Sequence, residues 1–135
     1  MTVAVVDASV WCDALLPGDR KRAARDALDP YATLAAPEHL RLEIVQVLRR
    51  HARSDLDSAQ VAATIGVVRQ LPLAVVPTAE LLERIWELRD QLTAYDAAYA
   101  AAAERLDAPL LTGDKGLLAQ ANRLRCAVID PLSDR

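Results

Sequence analysis

The sequence predicts an α/β fold, a three-layer α/β/α sandwich with a central five-stranded parallel sheet. Three observations carry this. Short apolar runs without period-two alternation recur along the chain, as "TVAVV" at 2–6 and "LAVV" at 73–76 do, and such runs are strands buried on both faces. Longer segments with apolar residues three and four apart lie between them, as helices packed on a sheet require. Proline and glycine punctuate the chain at intervals, with no repeat, low-complexity linker or composition break, so residues 1–135 read as one domain.

The first strand ends at Asp7. Ala8–Leu16 reads as a short helix stopped by Pro17-Gly18, and Arg20–Leu28 as a second one before Asp29-Pro30. Thr33–Ala36 is a weak strand closed by Pro37. Glu38–Arg53 is a strong helix because Leu40, Ile44, Val47 and Leu48 fall on one face. Asp57–Leu71 is another, with Val61, Ile65 and Val68 in register and Asp57 placed to cap it. Leu73–Val76 is a short buried strand between Pro72 and Pro77. Thr78–Leu92 is expected to be helical with Thr78 as its N-cap, and Tyr95–Leu106 forms an alanine-rich helix. Pro109–Leu111 is a strand that leads into Thr112-Gly113-Asp114. Leu117–Leu124 is the expected last long helix and Ala127–Ile129 an edge strand.

Composition narrows the function classes. A chain of 135 residues, 53% of them apolar, buries a real core and is not disordered. Its longest apolar runs fall far short of the roughly 18 residues that cross a membrane. Residue 1 onward lacks the basic start and apolar core of a signal peptide, so the expected location is cytoplasmic. The two cysteines, Cys12 and Cys126, form no CxxC and read as small buried hydrophobes. A net charge of −3 argues against bulk electrostatic binding of nucleic acid. The local basic runs Arg20–Arg25 and Arg49–Arg53 read as solvated helix faces until something else points to a polyanion. Core packing is the default for Trp11 and Trp86, a dimer or partner contact the alternative.

The acids carry the chemistry. In open parallel sheets ligands bind beyond the carboxyl ends of the strands, where Asp7 and Asp114 both sit. Glu43 lies between Leu42 and Ile44, either facing inward or on the edge of the packed face. Asp96 opens the alanine-rich helix, where the helix dipole alone would favour an acid. Clustered together, four buried carboxylates repel one another and some must take up protons. A divalent cation resolves this, and hard oxygen ligands without His or Cys suit Mg²⁺ or Mn²⁺. Such ions activate water and stabilise the leaving oxygen of a phosphodiester.

The elements "VVDASV", Glu43 after "AAPEHL", "LTAYDAAYAAAA" and "LLTGDKGL" resemble, in order and spacing, the motifs of the PIN domain, and most of all the toxin ribonucleases of VapBC-type toxin–antitoxin pairs. The resemblance runs from residue 3 to about 130, and Asp96-Ala97-Ala98-Tyr99 followed by a strand and Thr-x-Asp is its most specific part. It implies a PIN-like sheet in the order 3-2-1-4-5. It also implies that Asp7, Glu43, Asp96 and Asp114 bind the metal and catalyse hydrolysis of RNA. Ser9 and Thr112 match the family's small hydroxyl residues, which would hydrogen-bond those carboxylates or bound water; a helix-start hydroxyl and an ordinary strand residue are the bland alternatives. A small VapB-like antitoxin is implied as partner, its tail presenting a basic residue to the carboxylates. A homodimer would add a second basic rim. Some relatives carry a further acid beyond Thr-x-Asp, where this chain has Lys115, Gly116 and Leu117; a single tightly bound Mg²⁺ is therefore expected.

Other readings compete. A phosphoacceptor receiver would want an acidic pair after its first strand, and a haloacid-dehalogenase-type phosphatase a second Asp where Ser9 stands. A catalytically silent PIN-fold module that binds RNA or a partner is the alternative from a different class. No histidine is expected to act as general base, since His39 reads as a surface residue at a helix start.

Overall fold

Val3–Val6 (β1) has valine or alanine at every position, and only a strand with neighbours on both sides buries all of it. Ala4, Val5 and Val6 are wholly inaccessible. A computed structural model, which describes residues 2–53 and 56–133, places β1 at the middle of a five-stranded parallel sheet. The other strands are β2 (Thr33–Pro37), β3 (Leu73–Val76), β4 (Leu110–Leu111) and β5 (Val128–Ile129). Their order is β3-β2-β1-β4-β5, as expected. Val5 pairs with Leu110 and Val6 with Leu111, so β1 and β4 end flush, with Asp7 beside Thr112.

The helices are α1 (Ala8–Leu15), α2 (Lys21–Leu28), α3 (Leu40–His51), α4 (Ser58–Arg69), α5 (Leu82–Glu87), α6 (Ala94–Leu106) and α7 (Lys115–Ala119). Along α1 it is the neighbours α2 and α3 that pack against it, and α3 carries α4. Helix α6 lies over β1, β2 and β4, with α5 against it. Ala100, Ala102 and Ala103 of α6 are fully buried, because a side chain of one carbon lets the helix approach the sheet closely. Asp107 ends α6 at φ 51°, the left-handed conformation that closes many helices.

Asp57 caps α4 through a reciprocal pair of bonds with Gln60, as its position predicts. The apolar face expected on that helix is buried only at Val68, and Ile65 is largely exposed. Four expectations fail. The segment 78–92 is not one helix: a 3-10 turn at Thr78–Glu80 and a bend at Leu81 precede the short α5, and turns follow it. Thr78 does not cap; its hydroxyl donates to Glu38 Oε2 at 3.1 Å. Leu81, Leu88 and Leu92 face the core on either side of the break. Leu82 and Trp86 lie off that buried side, so Trp86, expected in the core, is 67% exposed with the Arg89 guanidinium over its ring. The last long helix, 117–124, is instead the one-turn α7 followed by a 3-10 turn at Ala121–Arg123, because the Asp114 side chain starts the helix at Lys115. Trp11 and Cys12 are buried, Cys126 is half-buried, and both cysteines are free.

The close fit of α6 sets a measurable limit. Ala100→Leu is expected to cost about 1–3 kcal/mol in urea unfolding, because the helix must be pushed off the sheet to admit it.

Candidate active site

The end of β1 delivers Asp7 into a nearly closed position at 4% exposure. Its backbone N–H donates to Leu111 O at 2.9 Å, continuing the ladder between β1 and β4. Two hydroxyls hold one carboxylate oxygen: Ser9 donates to Oδ2 at 3.0 Å and Thr112, fully buried, at 2.7 Å. The same hydroxyls then accept from the next loop. Gly113 N–H donates to Ser9 Oγ at 3.0 Å, and Asp114 N–H to Thr112 Oγ1 at 2.9 Å. This ring of bonds shapes the turn that carries Asp114. The Asp114 carboxylate in turn uses Oδ1 to accept from Gly116 N–H at 2.7 Å and Leu117 N–H at 3.1 Å. A Cβ at position 116 would sit only 3.0 Å from that oxygen, so glycine suits the turn. Among the described residues nothing donates to Asp7 Oδ1 or to Asp114 Oδ2.

Asp96 lies in the first turn of α6, where Thr93 caps the helix by accepting from Asp96 N–H at 3.2 Å. Glu43 sits in the first turn of α3. Leu42 beside it is 73% exposed and Ile44 is buried, so Glu43 lies on the margin between the packed face and solvent. His39 precedes α3 and is not the surface residue expected. Its side chain is only 17% exposed, and Nε2 lies 2.8 Å from Glu43 Oε1, off the line of a well-formed hydrogen bond. Its ring meets those of Tyr95 and Tyr99 edge-on, with centroids 5.5 and 5.0 Å away. The i, i+4 spacing of His39 and Glu43 was the available signal. Tyr99 closes the Asp96–Tyr99 motif, whose sequence gives it no role of its own; its buried hydroxyl lacks a well-formed hydrogen bond among the described residues.

The four acids feel one another. Burial pushes the Asp7 carboxyl up, the bonds from Thr112 and Ser9 pull it back, and the charges of Glu43 and Asp114 raise it again. Asp96 is raised to about 6, first by burial and then by Asp114, Asp7 and Glu43. Burial and the charges of Glu43 and Asp7 likewise hold the Tyr99 hydroxyl protonated. The sheet therefore brings all four sequence-predicted carboxylates into one electrostatic cluster, with Ser9 and Thr112 bonded to Asp7. Among the described residues no three His, Cys, Asp or Glu side chains yet close around one point as they would around a bound ion. The donor chemistry nevertheless fits a hard divalent cation: an all-carboxylate set, with one oxygen of Asp7 and one of Asp114 oriented by the protein and the other left available.

Residues of the basic runs have partners within and between the helices that carry them. Arg22 pairs with Asp26 at 3.5 Å, and Arg25 Nε donates to Ala14 O at 2.9 Å, tying α2 to α1. Arg49 and Arg50 end α3, where positive charge complements the helix dipole.

A family profile for the PIN domain matches residues 4–124. The chain belongs to the PIN-domain family. Its relatives include ribonuclease VapC9 of Mycobacterium tuberculosis, 40% identical over 111 residues that make up 82% of this chain and 84% of that one. Ribonuclease VapC1 of the same organism is 36% identical over 130 residues, 95% of this chain and 97% of that one. Among solved structures, PAE2754 from Pyrobaculum aerophilum superposes with a TM-score of 0.66 at 27% identity, covering 93% of this chain and 87% of that one. The sheet order of this PIN domain and the flush ends of β1 and β4 agree with that membership.

Two consequences are measurable. The folded-state pKa of Asp96, about 6, lies above its ordinary 3.8, so the folded protein holds the extra proton more tightly. The stabilisation from that proton is complete below about pH 4 and is lost as pH rises through 6. Without divalent metal, the wild type is expected to melt at a lower temperature at pH 8 than at pH 5. Asp96→Asn, which removes the charge, is expected to narrow that gap in thermal melts. Thr112→Val keeps the shape but deletes both hydrogen bonds of the hydroxyl; a loss of about 1–3 kcal/mol in denaturant unfolding is expected, largely restored by Thr112→Ser.

Proposed function

We propose that this chain is a metal-dependent endoribonuclease, the toxin of a VapBC-type pair, that hydrolyses RNA phosphodiesters at the cluster of Asp7, Glu43, Asp96 and Asp114. The observation that carries the reading is the cluster itself. The charges of Glu43 and Asp114 raise the proton affinity of Asp7 and Asp96 at the carboxyl edge of the sheet, where a protein without a polyanionic substrate or a cation gains nothing from them. The VapC ribonucleases among the relatives, similar over most of their length, support the substrate class.

Asp7, Asp96 and Asp114, with Glu43 directly or through water, would hold Mg²⁺ or Mn²⁺. When bound, the ion would supply a more acidic water and positive charge opposite the phosphate. The residues do the rest. Ser9 and Thr112 fix the rotamer of Asp7 by occupying Oδ2, so its other oxygen faces the site at no further ordering cost. Gly116 and Leu117 do the same for Asp114. Glu43, on the margin of α3, is the carboxylate free to take the proton from the attacking water, with His39 beside it limiting its rotamers. A short VapB-like antitoxin that covers these acids with a basic residue, and a homodimeric assembly, belong to the same reading.

Purified, partner-free protein is expected to cut RNA in Mg²⁺ or Mn²⁺ and to stop in EDTA. Asp7→Asn and Asp96→Asn, each shown to be folded by circular dichroism, are expected to lose at least about 10²–10³-fold in rate. Metal binding by calorimetry without cleavage of any RNA in a broad panel, or metal-independent cutting by both variants, would overturn the mechanism.

A further inference from the structure

Beside the carboxylates the surface opens into a groove of about 650 Å³, within the roughly 300–1,000 Å³ of small-molecule sites. It is continuous with the acid cluster through three elements. Ser9, bonded to Asp7, lines its near end together with Gly113, and Asp13 lines it one turn further along α1. Val47 lines it one turn beyond Glu43 on α3. Lys115 follows Asp114 directly. This groove is therefore a place for a nucleotide next to a phosphate held at the acids.

Three features give the groove chemistry suited to a nucleotide. The floor is apolar, with Val47 and Leu118 half-buried, as a base face requires. Arg20 and Lys115 stand exposed at the rim, where they meet phosphates rather than bases. Between them the half-buried Asp13 carboxylate takes no hydrogen bond from any described residue, and the carboxylate of Asp130 lines the same groove. Burial raises the Asp13 carboxyl, Arg20 lowers it and Asp130 raises it, so the two acids face one electrostatic environment. A carboxylate here is complemented by an edge with two adjacent N–H donors. Guanine presents such an edge at N1–H and N2–H. Adenine and cytosine each place a ring-nitrogen acceptor beside a single amino group, and uracil flanks its one N–H with two carbonyls.

We propose that this groove holds the base of a nucleotide flanking the scissile phosphate, that Asp13 selects guanine there, and that Arg20 and Lys115 hold the adjoining phosphates. The proposal rests on the ribonuclease reading and names the substrate feature recognised beside its site.

The test maps cut sites on a randomised RNA pool for the wild type, Asp13→Asn and Lys115→Ala, in Mg²⁺ or Mn²⁺. Wild type is expected to favour guanine at one position next to the cut. Asp13→Asn, which keeps the shape of the side chain, is expected to reduce that preference about tenfold, the effect of losing roughly one good hydrogen bond, while still cutting the pool. In an Asp96→Asn background, which binds without cutting, Arg20→Ala with Lys115→Ala is expected to lower the salt dependence of RNA binding by about 1.4 in log–log slope, two phosphates at roughly 0.7 each. An unchanged base preference in Asp13→Asn, or an unchanged slope in the double variant, overturns the proposal and leaves the nuclease standing. Unchanged RNA behaviour with weakened binding of an oligo-arginine peptide would assign the groove to a basic protein tail instead. A wild type that cuts no RNA removes both readings together.

Discussion

The Thr112 hydroxyl, buried between two strand ends, is the interaction on which the site depends. It donates to Asp7 at the end of β1 and accepts from the backbone of Asp114 beyond β4, so one oxygen atom sets the distance between two acids more than a hundred residues apart in sequence. That bond forms only because β1 and β4 are neighbours in register, with Val6 opposite Leu111. Strand adjacency therefore decides the geometry of the carboxylates, and the hydroxyl converts adjacency into a fixed rotamer.

Holding like charges together has a physical consequence beyond catalysis. Neighbouring carboxylates raise the proton affinity of Asp7 and Asp96, so this edge of the protein is the one that folding alone does not favour. The remainder of the fold offsets it: a central strand buried from Ala4 to Val6, and an alanine-rich α6 that lies close enough to the sheet for Asp96 to join the other three. Sites that conflict with local stability in this way are where proteins tend to carry their chemistry. The hydroxyls of Ser9 and Thr112 lessen the conflict at Asp7, the most buried acid, by donating to its charged form.

The groove beyond the acids follows from the same arrangement of elements. Because α1, α3 and α7 each carry an acid of the cluster in or just before their first turn, residues within two turns of those acids line a common surface. A helix that positions a carboxylate in its first turn thereby also presents a neighbouring side chain to whatever is bound there. In this chain those neighbours are Asp13, Val47 and Lys115, a mixture of acceptor, apolar face and cation rather than a uniform patch.

Much of this was legible without coordinates. Apolar runs lacking alternation determined a parallel sheet, Asp57 determined a helix start, and the acidic motifs pointed to the family, because each of these is carried by residues near one another in the chain. What depended on distant residues was not legible. The helix expected over 78–92 is divided into a 3-10 turn and the short α5, with Leu81, Leu88 and Leu92 in the core and Trp86 outside it. His39 looks like a surface residue until Tyr95 and Tyr99 of α6 close over it beside Glu43. Asp13 has no sequence neighbour that marks it; only the packing of α1 against the end of the sheet places it in the groove with Asp130. Periodicity and capping are local and can be read along the chain. Which faces meet, and which polar groups are then buried together, is settled by packing in three dimensions.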